Sequence, residues 1–334
     1  MSVTSASPRT STNSSAPDPV ADPRPVIAIS SCLLGEQVRF DGGHKRHSWI
    51  IGPLGKYFDY RPICPEVAIG LGIPRPPIRL VGDPDRPRAV GVKDPDLDVT
   101  DPLAQFARRT ASTLDDVSGY IFKSKSPSWG MERVKLYGEF AGQKKTIGIH
   151  AREIMHALPN LPTEEEGRLN DAVLRENFVN RVLVYRRWQD LMAGNYGARD
   201  LVEFHAAHKY LVMAHSQAAN KRLGALLSNL KGADLHAVAA AYIAELMAAL
   251  KRRCNRDRHV NVLQHIMGYL KKRLDGEDKQ ELLAAIEAYR REEVPLIVPI
   301  FLLRHHFRHH PDPYMDNQWY LDPHPKALGL RNNI

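Results

Sequence analysis

The chain has 334 residues, enough for two ordinary cores, because domains typically span about 100–200 residues. Hydrophobic residues at 43% and charged residues at 25% are globular proportions, which excludes a fibrous or wholly disordered chain. The formal charge of +8 suits a polyanion such as nucleic acid, but equally suits a basic surface that binds nothing anionic.

Residues 1–24 are rich in Ser, Thr, Pro and Ala and lack the apolar centre of a secretory signal, which predicts a disordered leader and no export. The most apolar later stretch, residues 294–303, carries Pro295 and Pro299 and falls short of the roughly 18–20 apolar residues of a membrane span. No membrane partner is expected. Cys32, Cys64 and Cys254 form an odd, sparse set, which argues against a disulfide framework. A reducing, cytoplasmic setting fits, with thiols free for metal or chemistry.

Residues 25–30 (PVIAIS) read as a buried strand running into a loop at Ser31-Cys32 and Gly35. The pattern repeats at residues 60–63 before Cys64-Pro65-Glu66, at 119–122 before the loop 123–130, and more weakly at 161–163. Helix-like stretches at 47–58, 99–116 and 147–157 lie between, so the alternation predicts a parallel α/β sheet of Rossmann type over residues 25–163. Residues 79–93, with Gly82-Asp83-Pro84-Asp85, read as a hairpin or lid outside the core. At Glu164-Glu165-Glu166 the composition shifts, and residues 164–334 show helical spacing alone. Helices are expected near 171–193, 200–215, 218–230, 235–251, 259–274, 278–290 and 294–309, with Asp200 as the N-cap of the second. An irregular tail, 314–334, is expected to wrap this bundle.

In an open parallel sheet, ligands bind beyond the carboxyl ends of the strands. Three loops meet that edge: 30–35, 64–66 and 124–130. They bring two thiols, the Glu66 carboxylate and several hydroxyls within reach of one pocket. Cys32 and Cys64 can equally be small buried residues at strand ends. Arg39, Asp41, Lys45 and Arg75, with the Ser128 hydroxyl, offer charge-assisted hydrogen bonds to an anionic or heterocyclic substrate. Asp41 can also simply pair with its basic neighbours at the surface.

The stretches SSCLLGEQVRFDGGHKR (30–46), CPEVAIGLGIPRPP (64–77) and KSKSPSWGMERV (123–134) resemble the three signatures of the thiouracil-desulfidase family. The resemblance covers roughly residues 25 to 160. It implies a [4Fe-4S] cluster held by one cysteine from each signature and sulfur removal from thiolated pyrimidines. It also implies Glu66 and Ser126 as the catalytic pair and Cys32 and Cys64 as metal ligands. The third signature normally reads Ser-Pro-Ser-Cys-Gly, and here it reads Ser126-Pro127-Ser128-Trp129-Gly130. An indole cannot ligate iron, and its bulk tends to fill the space of a cluster edge.

Three explanations follow. A substitute ligand such as His44, Glu66 or an exogenous thiol completes a cluster; the pocket has lost the cluster and binds a small ligand or nothing; or Cys254 crosses over from the helical part. The neighbours of Cys254, Lys251, Arg252, Arg253 and Arg256, favour a solvated basic turn instead.

Helical spacing puts His205, His208 and His215 on one face, so zinc chelation stands beside an ordinary core or surface role. His305, His306, His309 and His310, around Arg304 and Arg308, suit the negative end of a helix. FHAAHKYLVMAHS (204–216), HVNVLQHIMGYLKKRL (259–274), PLIVPIFLLRHH (295–306) and YLDPHPKALGLRNNI (320–334) resemble the YbgA-like family, which implies no biochemical role. Asn261, Gln264, His265, Tyr269, Lys271 and Lys272 offer a basic face that could touch RNA bearing thiolated bases, or simply be solvated. The expectations are therefore iron-sulfur-dependent sulfur removal from a thiolated heterocycle or a descendant of it, a non-catalytic small-ligand or regulatory protein, or a nucleic-acid-binding accessory protein.

Overall fold

The computed structural model describes residues 23–138 and 145–334, so most of the expected leader lies outside the described residues. β1 (Val26–Ser30) runs into one helical turn, α1 (Ser31–Leu34), closed by Gly35 at φ 103°, a left-handed conformation that favours glycine. The helix expected at 47–58 is instead a turn, α2 (Ser48–Ile51), and a 3-10 turn at Leu54–Lys56, divided at Gly52-Pro53. There follow β2 (Asp59–Ile63), α3 (Pro65–Ala68), β3 (Ile78–Gly82), β4 (Pro87–Gly91), α4 (Thr100–Ala111) and β5 (Val117–Phe122). β6 (Val134–Tyr137), β7 (Lys145–Thr146), α5 (Ile149–Ala157) and β8 (Thr163–Glu165) complete this part.

The main sheet has the order β2-β1-β5-β8, and every pairing is parallel. Parallel strands bury both faces, and β5 is buried at all its residues. The strand order reverses between β1 and β5, so the segments leaving their carboxyl ends diverge and open a crevice. The expectation for 79–93 needs correction. β3 and β4 do form a hairpin, but β6 and β7 extend it into a second four-stranded sheet. Leu80 and Ala89 are fully buried in a core with Leu103, Leu136 and Ile149, beneath turn residues that made the segment look solvated.

The helical part comprises α6 (Ala172–Ala193), α7 (Ala198–His215), α8 (Gln217–Leu226), α9 (Leu235–Leu250), α10 (Arg256–Met267), α11 (Gly276–Arg290), α12 (Ile297–His309) and the short α13 (Pro313–Asp316). Side chains of Asp171, Ser216, Asp234, Asn255, Asp275 and Asp312 accept the orphan N–H groups at six of these starts. Asp200 is not an N-cap. It is the third residue of α7, and its Oδ2 reaches back to accept the N–H of Gly197, the actual cap, at 2.8 Å.

α6 serves both parts. Phe178, Val179, Val182 and Leu183 pack with Ile27, Ile29, Leu33 and Ile121 of the sheet, whereas Val184 and Trp188 enter the bundle core. Gly119 lets β5 and α6 approach: a Cβ there would lie 2.7 Å from Val182 Cγ2. Deeper in the bundle, Glu176 Oε1 accepts from Arg331 Nε at 3.0 Å. Burial alone would raise the Glu176 carboxyl, but Arg331, His324 and His259 outweigh it and hold it down to about 2.

Gly119→Ala is expected to destabilise the chain by about 1–3 kcal/mol through overpacking, with Val182→Ala in the same chain recovering part of the loss in thermal unfolding. Because the folded pKa of Glu176 is depressed, its contribution is complete above pH 4.5, the ordinary value, and fades as pH falls towards about 2. Stability measured against pH should therefore fall less steeply between pH 4.5 and about 2 in Glu176→Gln than in the native chain; an unchanged slope there would assign the loss to other groups.

Candidate functional site

The loops leaving β1, β2 and β5 meet around one cavity of about 330 Å³ at the strand-order reversal. Cys32, Arg39 and Lys45 come from the first loop, Cys64, Glu66 and Arg75 from the second, and Lys123, Lys125 and Ser126 from the third. α1 places Cys32 with its Sγ 3.4 Å from Ser30 Oγ. Cys64 caps α3, and its thiol donates weakly to Glu66 Oε2 at 3.6 Å and to the Val38 carbonyl at 3.9 Å. Arg75 donates to the Val38 and Gly72 carbonyls at 2.9 and 3.1 Å and stands 3.9 Å from Glu66 Oε2. Glu66 Oε1 accepts a hydrogen bond from the buried Ser128 hydroxyl, which lies 3.1 Å from Ser126 Oγ.

Burial pushes the Cys64 thiol up to about 12, and the neighbouring Glu66 carboxylate adds to the rise. Burial raises Cys32 as well, with the Ser30 hydrogen bond opposing it. The cavity thus offers two neutral thiols, a buried carboxylate joined to a two-hydroxyl chain along which a proton can pass, and a cationic rim.

Most of the sequence-selected residues line this cavity, and two do not. Asp41 is half-exposed, pairs with Arg39 at 3.4 Å and accepts the Gly43 N–H, which is the surface pairing weighed above. Ser128 stands behind Glu66, fully buried, and orients the carboxylate rather than reaching the cavity. Lys123 and Lys125 were not singled out as site residues; their position directly after a buried strand, in KSKSPS, was the available signal.

Trp129 is buried, with its ring centroid 5.0 Å from that of His150, 5.7 Å from Tyr120 and 5.9 Å from Phe122. The Tyr120 hydroxyl meets His150 Nε2 at 2.9 Å, and burial pushes that imidazole down to about 3, so it is neutral. The indole is therefore part of the packed layer beside β5 as well as a wall of the cavity.

This donor set does not fit a cluster held by three thiolates. His44 is outside the cavity and accepts the Arg46 N–H at 3.2 Å; Glu66 offers a carboxylate oxygen where such a cluster takes a thiolate sulfur. Cys254 lines a different cavity, in the helical part. Among the described residues, no group of three or more His, Cys, Asp or Glu is arranged to hold a metal ion. The helical histidines take separate partners: His205 the Tyr242 hydroxyl, His208 the Phe204 carbonyl and His215 the Arg252 carbonyl. Among the described residues, no helix is long and apolar enough to cross a membrane.

Residues 27–166 match the family model of 2-thiouracil desulfurase, and residues 209–325 match that of a protein of unknown function, DUF1722. The uncharacterized protein YbgA of Escherichia coli (strain K12) is 30% identical over 134 residues, covering 40% of this chain and 79% of that protein. The uncharacterized protein YbbK of Bacillus subtilis (strain 168) is 30% identical over 156 residues, covering 44% of this chain and 99% of that protein. Among solved structures, the [4Fe-4S]-dependent thiouracil desulfidase TudS is similar at 27% identity, with a TM-score of 0.35, covering 46% of this chain and 98% of that one.

If the indole is packed as its contacts indicate, Trp129→Ala lowers unfolding stability by about 3–5 kcal/mol in chemical denaturation. A change within about 0.5 kcal/mol, the range of ordinary surface substitutions, would mean that the ring contributes little to the core.

Proposed function

We propose that this chain, which belongs to the 2-thiouracil desulfurase family through its α/β part and to the DUF1722 family through its helical part, binds a thiolated pyrimidine or similar heterocycle without a three-cysteine cluster. One observation carries the reading: Cys32, Cys64, Glu66 and Ser126 share a cavity, while Trp129, where the resembled signature has its third cysteine, is an indole packed among Tyr120, Phe122 and His150.

A heterocyclic thioamide presents ring N–H donors and a large, polarizable sulfur that accepts hydrogen bonds weakly. The Glu66 carboxylate, fixed by Ser128, suits a ring N–H, and the neutral Cys32 and Cys64 thiols suit the sulfur. Arg39, Lys45, Lys123 and Lys125 favour the electron-rich edge or the anionic tautomer of such a ring. Phe40 and the prolines at 76 and 77 supply apolar wall for its faces.

A second reading, sulfur removal, is favoured by the intact chain from Ser126 through Ser128 to Glu66, which can move a proton to a departing group. The two separate in one experiment. The chain is purified and reconstituted anaerobically, assayed for iron and acid-labile sulfide, and titrated with 2-thiouracil in an ultraviolet difference spectrum. The binding reading expects iron far below the content of a [4Fe-4S] cluster and saturable binding that Glu66→Ala weakens about tenfold. About four irons and four sulfides per chain, with release of sulfide from 2-thiouracil, would restore the desulfidase reading.

A further inference from the structure

Glu164, Glu165 and Glu166 are each more than nine-tenths buried. Adjacent carboxylates removed from water are costly unless each has its own partners. All three do; the partners of Glu165 and Glu166 lie on one segment, and Glu164 reaches that segment through Arg168. Glu166 Oε1 accepts from Lys123 Nζ at 2.5 Å, and its Oε2 accepts the Ser124 N–H at 2.7 Å. Glu165 Oε1 accepts the N–H groups of Met131 and Glu132 at 2.8 and 3.4 Å. Glu164 Oε1 accepts from Arg168 Nε at 2.6 Å, and Arg168 Nη1 continues to Glu132 Oε1 at 3.0 Å. The third loop of the cavity, 123–132, is thus gripped at its start and at its end, while its middle rests on the start of α5, whose Ile149 and Ala151 N–H groups donate to the Pro127 and Ser128 carbonyls at 3.1 and 3.0 Å.

The grip is anchored in the helical part. Arg181 of α6 is buried, stands 3.6 Å from Glu164 Oε2, and donates to the Thr163 carbonyl at 3.2 Å and to Asn177 Oδ1 at 3.0 Å. Removing Arg181 leaves Glu164 buried with one partner fewer, and the carboxylate regains solvation only if β8 or the loop shifts.

We infer that Glu164, Glu165 and Glu166 are positioning residues that hold loop 123–132 in its ligand-binding geometry, and that α6 joins this grip through Arg181 and Glu164. The affinity readout for this inference rests on the binding reading of the cavity; the exchange readout does not.

The full chain is compared with Arg181→Met, Arg181→Lys and Glu164→Gln by amide hydrogen exchange and by titration with 2-thiouracil. Arg181→Met should raise exchange across 123–132 about tenfold while β1 and β5 keep their protection, and should weaken 2-thiouracil by a similar factor. Arg181→Lys, which keeps the charge, should recover most of both. The inference is overturned by unchanged loop exchange in Arg181→Met or, should that variant not fold, in Glu164→Gln. Equal loss of protection in the loop and in β1 and β5 also overturns it, since that marks a purely structural role. If no chain binds 2-thiouracil, the binding reading fails and the exchange pattern alone decides the positioning role.

Discussion

A parallel sheet has two apolar faces, and neither survives in water uncovered. One face of the four-stranded sheet is closed by α6, whose Phe178, Val179, Val182 and Leu183 settle onto β1 and β5. Contact that close requires the bare backbone of Gly119, because any side chain there would collide with Val182. The same helix continues through Val184 and Trp188 into the bundle, so the two parts of the chain share a structural member. Disturbing the bundle end of α6 therefore bears on the strands whose carboxyl ends carry the cavity.

The cavity itself follows from strand order. Because β1 has β2 on one side and β5 on the other, the loops that follow β1 and β5 must part. Short helical turns then fix the side chains at the rim: α1 carries Cys32, and α3 begins at Cys64 and carries Glu66. Trp129 changes the character of the site without dismantling it. Its indole faces the layer containing Tyr120, Phe122 and His150, and its backbone N–H still donates to Ser126 Oγ at 3.2 Å. The loop thus keeps its hydroxyls in place while offering no third sulfur.

How far the sequence could be read depended on whether local signals agreed with the tertiary setting. PVIAIS and GYIF are apolar runs whose shortness and β-branched or aromatic content favour a buried strand, and both lie in the central pair of the sheet. The three loop motifs were legible because thiols, a carboxylate and hydroxyls directly after such runs fall at the ligand-binding edge. The hairpin at β3 and β4 misled because Gly82-Asp83-Pro84 speaks for solvent, while the burial of Leu80 and Ala89 depends on a second sheet that no local pattern announces. Asp200 was recognisable as a helix-start residue, but its exact place was not: Asp is favoured at the cap, where it accepts the N–H of the second or third helical residue, and also at the third residue, where it accepts the N–H of the cap itself.

The glutamate run shows most clearly where composition and structure part. Three adjacent carboxylates ordinarily mark a solvated segment, and charge alone carries no information about partners distant in sequence. Lys123 lies 43 residues from Glu166, and the backbone N–H groups of Met131 and Glu132 carry no sequence signature at all. What burial reveals is a requirement: each carboxylate left unpaired would be far more costly than the same group in water. The run is tolerable only where loop 123–132 and the arginines at 168 and 181 arrive together. In a chain whose cavity depends on that loop, the same buried charges join the α/β site to the helical part.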